Sequence, residues 1–234
     1  MMLLDITARY HPLEAFLFDY IVAPAVLSTL SSFKSAILSA AEKGCKVLDI
    51  GCGGGQLAID LKKTDEGLDV TGLDLSISQL RRARSRDAGA RAGLHLVQAS
   101  ALELPFPDEA FDLVYSVDCL KHWPDKNKGL RECIRLLRPG GLLLITEVDR
   151  ECTLQNGLRF VRRWNVPAIF RPLSILPFFL FAVRRSLSME EARSLAEPLP
   201  LEDVVIEPGP AGVNWTLMAL KPRLRAAHRV RPGR

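Results

Sequence analysis

Glycines 51, 53, 54 and 55 follow directly on the apolar run Cys45–Ile50, within the segment VLDIGCGGG from Val47 to Gly55, and lead into the amphipathic stretch QLAIDLKKT. A buried strand that delivers glycines to a helix start lets backbone approach a ligand that side chains would exclude, with unpaired N–H groups ready to bind it. Taken alone, G-x-G is also compatible with a purely structural turn. Asp49 puts a carboxylate beside the glycines, unwelcome for a pyrophosphate and useful for a cationic amine. Asp74 ends a second apolar run 25 residues later, where an acid in a sheet of this type accepts both hydroxyls of a ribose; together they argue for a nucleoside-containing ligand. Two phosphate-binding patterns fail: Gln56 stands where G-x-G-x-x-G needs its last glycine, and no G-K-[ST] follows.

A second group of reactive side chains comes later, at Asp118, Lys121 and His122, with Tyr10 and Tyr20 available from the N-terminal region. His122 leads, because an unperturbed imidazole pKa of about 6.5 allows proton acceptance near neutrality; the competing role is packing or capping the loop beside Trp123. Asp118 has the alternative of pairing with Lys121 on the surface. Histidines 11, 95, 122 and 228 share no ligand spacing, so no metal site is expected. The five cysteines are odd in number and form no C-x-x-C pair; a disulfide scaffold is not expected, and a reducing cytoplasm is the expected setting.

An alternating chain must position these groups. Apolar residues at three- and four-residue spacings predict helix over residues 11–43 in two pieces parted at Pro24, closed by Gly44. Cys45–Ile50, Leu68–Leu73, Leu94–Gln98, Phe111–Val117 and Leu142–Glu147 read as five short buried strands. Between them lie QLAIDLKKT, a polar helix through arginines 81, 82, 84, 86 and 91, and a helix from Asp125 to Leu137 stopped by Pro139 and Gly140. This is the α/β pattern of a mostly parallel sheet covered on both faces. After Asp149 the rhythm breaks and residues 150–187 read as an insertion. Leu187–Ala196 reads as a helix with acids in its first turn. Val204–Glu207 and Trp215–Leu220 read as an antiparallel edge, since the connection is too short for a parallel crossover.

The ordered segments VLDIGCGGG, VTGLDLS, ALELPFPDEAFDLVYSVDCLKHWPD and LRECIRLLRPGGLLLITEV resemble the class I S-adenosylmethionine-dependent methyltransferases (methyltransferase domain type 11) over roughly residues 40–149, in particular the small-molecule branch of ubiquinone and menaquinone C-methyltransferases. The resemblance implies a Rossmann-like sheet of seven strands with an antiparallel last strand. It implies S-adenosyl-L-methionine as cofactor and S-adenosyl-L-homocysteine as product, with Gly51 and Gly53, and Cys52 between them, against the methionine part. Asp49 is then near the amino group through water or neighbouring backbone, Asp74 on the ribose hydroxyls, Leu75 on adenine, and Ser116, after the fourth strand, on the methionine side. Relatives commonly read D-A ahead of the LPF segment, whereas this chain has Ser100-Ala101. Serine offers one hydrogen bond without charge, so adenine recognition leans on backbone near Ala101 and Leu102, and weaker cofactor binding is expected. Relatives also often read H-H before W-P-D, where this chain has Lys121-His122. A sulfonium already activates the methyl group, so the enzyme mainly holds a nucleophile in line and excludes water, with no metal needed.

The insertion is the best clue to substrate. Phe160, Trp164, Ile169, Phe170, Phe178, Phe179 and Phe181 alternate with arginines 159, 162, 163, 171, 184 and 185. Folded over the carboxyl ends of the strands, this cap makes an apolar acceptor pocket, with Tyr20, Trp164, Phe178 and Phe179 as its walls, for a hydrophobic small molecule taken in one version from a membrane surface. Ordinary packing of a helical cap is the competing reading. The run Pro172–Val183 is too short to span a bilayer and holds two prolines. The net charge of +4 belongs to the end of the chain, where Lys221–Arg234 carries six basic and no acidic residues and leaves the rest at −2. Such a tail could touch anionic lipid or phosphate, but without a coherent basic domain or an N-P-P-Y segment nucleic acid is not the expected partner. The expected organisation is N-terminal helices over 1–43, a cofactor-binding core over 44–149, the cap over 150–187, the C-terminal part of the core sheet over 188–221 and a basic tail over 222–234. A methyltransferase acting on an apolar oxygen or carbon nucleophile, cytoplasmic or peripheral at the membrane, is the leading reading. A non-catalytic cofactor-binding module and a nucleic-acid methyltransferase are the alternatives.

Overall fold

Residues 12–223 are described by a computed structural model; Tyr10, His11 and the tail from Leu224 onward lie outside the described residues. Seven strands form one sheet in the order β3-β2-β1-β4-β5-β7-β6. They are β1 (Lys46–Ile50), β2 (Asp69–Asp74), β3 (His95–Gln98), β4 (Phe111–Val117), β5 (Leu137–Val148), β6 (Glu202–Pro208) and β7 (Asn214–Leu220). The first five are parallel, and β7 runs antiparallel between β5 and β6. The chain winds outward from β1 to β3 and then returns to begin again at β4, so the order reverses between β1 and β4. The carboxyl ends of strands at such a reversal are where open α/β sheets bind ligands, and the glycine loop sits there.

Strand alternation sends neighbouring residues to opposite faces. Val47, Val70, Leu113, Tyr115 and Leu144 pack under helices α3 (Ser31–Ala40) and α4 (Gln56–Thr64) through Phe33, Ile37, Leu57 and Leu61. Leu48, Ile50, Leu73, Val114 and Ile145 meet α6 (Lys126–Leu136) and the helix Met189–Ala196 on the other side. Asp49 therefore shares the face of Val47 and Tyr115. The helix Met189–Ala196 starts with a reciprocal cap in which Ser188 accepts from the Glu191 N–H while the Glu191 carboxylate accepts from the Ser188 N–H, a pattern that fixes helix starts.

Two prolines act differently from the sequence expectation. Helix continues past Pro24: α1 (Pro12–Leu17), a π-helical turn Phe18–Val22 and α2 (Ala23–Leu27) follow one another, and the 73° bend comes afterwards, before α3. Pro24 sits in the first turn of α2, where its missing N–H costs little. The true stop is at Ser28 and Thr29, whose hydroxyls donate to the carbonyls of Ala25 and Val26. Pro139 and Gly140, expected to end α6, lie inside β5, because Leu137 already leaves the helix at φ −71, ψ 139. Pro139 biases the residue before it toward extended backbone, and Gly140 turns at φ +80 to donate to Lys221. The strand thus begins with an irregular stretch against β4.

The segment between β5 and the helix Met189–Ala196 holds α7 (Leu154–Val161) and then short 3-10, α and π turns from Ala168 to Arg185. Its own core of Cys152, Phe160, Val161, Phe178 and Val183 packs on Ala25, Val148 and Val213. Asn165 donates to the carbonyl of Ile21 and Arg163 to the Ser28 hydroxyl, so the N-terminal helices and the cap hold each other.

Candidate active site

The glycine loop is a set of left-handed turns, with φ +79 at Gly51, +52 at Gly53 and +74 at Gly55. Their environments differ. A Cβ on Gly51 would collide with the Cys119 side chain, whereas one on Gly53 would meet nothing within 4 Å. Gly51 is small because β4's exit presses on it; Gly53 leaves an open cradle that a side chain would fill. Both oxygens of Asp74 are aimed by backbone: Oδ2 accepts from the Gly53 N–H at 2.9 Å and Oδ1 from the Ser76 N–H at 2.8 Å. Burial raises the Asp74 pKa, and these two bonds oppose the rise. Each oxygen keeps a lone pair for a hydroxyl, and Leu75 and Ile77 stand exposed beside it as an apolar platform. A ribose with an attached base fits this arrangement.

Asp49 faces inward. It accepts from the Tyr115 hydroxyl at 2.9 Å, and burial pushes its pKa up to about 7, with the Tyr115 bond opposing and Asp74 adding. A direct ion pair with a ligand amine is not what this orientation offers; any contact runs through the loop backbone. Cys52 is buried against Gly72, leaving its backbone as its contribution. Ser116 requires a correction. It lies within β4, not after it, is buried, and donates to the Ile50 carbonyl at 2.9 Å, so it ties β4 to β1; the residue after the strand that abuts Gly51 is Cys119. Ser100 Oγ accepts from the Leu102 N–H at 3.2 Å and so holds its own turn, with Ala101 half-buried behind it.

At the ends of β4 and β5 the structure extends the Asp118–Lys121 pair considered from the sequence into a three-residue charge cluster with Glu147. Lys121 Nζ lies 2.9 Å from Glu147 Oε2 and 3.3 Å from Asp118 Oδ1, and it donates to the Asp118 carbonyl. Its side chain is only 6% exposed, so the pair expected on the surface is interior. Asp118 Oδ1 also accepts from the Val148 N–H at 3.0 Å, from a backbone at φ +53, which makes it a brace between β4 and β5. Burial raises the Glu147 pKa while Lys121 opposes. His122, at the end of the 3-10 turn Leu120–His122, is corrected as well: burial first, then the charges of Lys121, Arg185 and Lys126, push its pKa down to about 3. It stays neutral at pH 7 and takes up protons poorly there.

The cap side also sorts the aromatic candidates. The half-buried Trp164 packs edge-on to Phe178 with ring centroids 6.2 Å apart, and Phe178 is 2% exposed in the cap core and so walls no open pocket. Phe179, one residue on, does line one: a groove of about 340 Å³ formed with Arg150, Leu176, Leu180, Val183 and Arg184. Tyr20 is exposed, stacked on Phe16 with centroids 6.0 Å apart, on the N-terminal helices. These helices are clamped by buried Asp19, which accepts from Arg82 Nε at 2.7 Å, Arg86 Nη2 at 2.8 Å and the Gln56 amide. Arginines four residues apart on α5 (Ile77–Ala90) were the legible half of this clamp; a lone acid on a distant helix carries no signal of its own. Among the described residues no cluster suits a metal ion.

Residues 48–145 match the family model described as Methyltransferase domain. A fatty-acid O-methyltransferase of Mycolicibacterium smegmatis is 31% identical over 204 residues, 87% of this chain and 69% of that protein. A ubiquinone/menaquinone biosynthesis C-methyltransferase of Vibrio campbellii is 39% identical over 115 residues, 48% of this chain, and the match spans 44% of its length. A crystal structure of a SAM-dependent methyltransferase from Aquifex aeolicus superposes with a TM-score of 0.70 at 16% identity, covering 91% of this chain and 100% of that one, a likeness of fold.

Proposed function

The chain belongs to the class I S-adenosylmethionine-dependent methyltransferase family, and from that premise we propose that it methylates an apolar small molecule whose nucleophile is already anionic at neutral pH, a carboxylate before an enolate. Bound S-adenosylmethionine would supply a methyl group on a sulfonium and leave as S-adenosylhomocysteine. Asp74 would hold the ribose, the Gly53 cradle the methionine end, and Leu75 with Ile77 the adenine face.

The observation that carries the reading is a chain of buried contacts that links the glycine loop to the residues behind the groove. Gly51 abuts Cys119, Lys121 beyond it reaches Glu147, the Ser186 hydroxyl meets Glu147 and Arg150 donates to the Ser186 carbonyl at 2.8 Å. Arg184 then brings positive charge to an otherwise apolar groove, while Arg150 on the same groove is paired with Glu191. At this end, among the described residues, His122 is too weak a base to deprotonate a neutral alcohol, Asp118 and Glu147 are tied to Lys121, and Asp149 accepts from the Glu151 N–H. An acceptor that arrives as an anion needs no such help, and Arg184 would orient it. The fatty-acid relative supports the class, because an alignment over 87% of the chain leaves too few residues outside to omit the whole cap. All five cysteines are free thiols, which suits a reducing compartment, and the cytoplasm is the setting proposed.

The test is methyl transfer from labelled S-adenosylmethionine to a panel of long-chain carboxylic acids, hydrophobic phenols and quinols, RNA and DNA. Transfer to the acids, rising with chain length, is expected. Robust labelling of nucleic acid, or turnover confined to small polar acceptors, would overturn the reading.

A further inference from the structure

Thirteen residues of the cap, 169–181, expose Ile169 (79%), Leu173 (71%), Leu176 (63%) and Phe170 (55%), with Leu180 and Phe181 each at 41%. This is a concentrated apolar surface in a chain whose strands bury nearly every large side chain facing the two core layers, and soluble monomers rarely leave so many neighbouring apolar groups in water without a partner for them. Its border is charged with one sign: residues 150–187 contain seven arginines and a single acid, Glu151. Among the described residues no carboxylate lies within ion-pair distance of Arg171, Arg184 or Arg185. Arg185 stands over the Phe181 ring at 5.8 Å, which keeps a guanidinium at the edge of the apolar group while its stem lies along it.

We propose that this face of the cap docks on the surface of an anionic lipid bilayer. Pro172, Pro177 and the succession of short 3-10, α and π turns rule out a spanning helix here, and among the described residues no single helix is long and apolar enough to cross a membrane. What remains is the monotopic arrangement, with isoleucine, leucine and phenylalanine side chains in the headgroup and acyl boundary and arginines on lipid phosphates and carboxylates. Charge decides between occupants. A second copy would bring a patch of the same sign against this one, and repulsion would grow as the apolar groups approached; an anionic bilayer supplies both complementary charge and an apolar interior. The groove of the proposed acceptor shares Leu176, Leu180 and Arg184 with this face, so a lipid-borne anion would enter it without crossing water. That entry rests on the proposed function, whereas the docking does not.

The experiment is flotation of the full chain, without cofactor or acceptor, with vesicles of phosphatidylcholine alone or mixed with phosphatidylserine. Binding to the mixed vesicles, weakening as salt rises, is expected. The I169S/L173S variant should lose at least about tenfold in partitioning with an unchanged melting temperature, since both side chains are exposed, and R184E/R185E should lose the preference for phosphatidylserine. A chain truncated after Arg223 separates the cap from the tail: retained binding supports the cap, and binding lost on truncation but indifferent to the cap substitutions overturns it. A dimer in sedimentation that I169S/L173S dissolves, without vesicle binding, also overturns it in favour of a second copy. Because no turnover is read, failure here leaves the methyl-transfer assay to be judged separately.

Discussion

The cofactor half and the cap are built from opposite materials. Around β1 and β2 the chemistry is carried by backbone: glycines at positive φ, N–H groups that aim Asp74, and a sheet register that sets Asp49 opposite Gly72 on one side and Tyr115 on the other. In the cap the chain makes short turns around a small aromatic core and presents side chains outward. A site made of backbone tolerates little substitution but binds one invariant ligand; a site made of side chains on short turns can be re-cut for new acceptors without disturbing the sheet. If this division is right, substitutions should separate cleanly into those that affect stability, cofactor or acceptor.

The largest effect should come from the cap core. Phe178→Ala removes a 2% exposed ring packed on Phe160 and Trp164 and should cost about 3–5 kcal/mol, read by urea unfolding, while the folded fraction keeps its affinity for S-adenosylhomocysteine. An equal loss of that affinity would mean the two regions are not separable. Asp74→Ala comes next. Each charge-assisted bond to a ribose hydroxyl is worth roughly 1.5–3 kcal/mol, so at least about tenfold weaker cofactor binding is expected, with a smaller loss of stability than Phe178→Ala from the freed Gly53 and Ser76 N–H groups and acceptor KM nearly unchanged.

His122 gives a pH signature. Its folded pKa of about 3 lies below the ordinary 6.5, so its contribution to stability is complete above pH 6.5 and is lost as pH falls toward 3, because only the unfolded chain takes the proton. By about pH 5.5 the loss from this group is about 1.4 kcal/mol, and His122→Gln should lack it. An identical acid sensitivity in the two proteins would contradict the burial and charge assigned to the imidazole. The smallest effect sharpens the comparison most: Phe179→Ala, beside Phe178 in sequence, should spare stability and cofactor affinity and raise the acceptor KM by roughly fivefold, about 1 kcal/mol of lost apolar contact.

Five strands were legible to within about a residue at either end; β1, β2 and β4 are parallel and buried inside the sheet and read as unbroken apolar runs, and Asp74 was legible because a strand end is a fixed place. Pro24 and Pro139 misled for a shared reason: a proline breaks a helix only where it falls in the interior, and whether a position is interior depends on turns around it, such as the π-helical turn before Pro24. His122 was legible as a residue but not as a base, its pKa being set by Lys121, Arg185 and Lys126 and by burial, two of which come from other elements. Phe178 and Phe179 could not be told apart because the π-helical turn they begin has no period a short sequence window reveals. The Asp118–Lys121–Glu147 cluster was half visible; Glu147 joins it only through the pairing of β4 with β5.

The account stands most directly on a calorimetric titration of the folded full chain with S-adenosylmethionine and S-adenosylhomocysteine in excess chelator. Near-stoichiometric binding of at least one of them, without metal and weakened at least about tenfold in Asp74→Ala, is the result expected. Folded protein that gives no heat with either and shows no competition between them would contradict the assignment of the glycine loop and Asp74 to the cofactor.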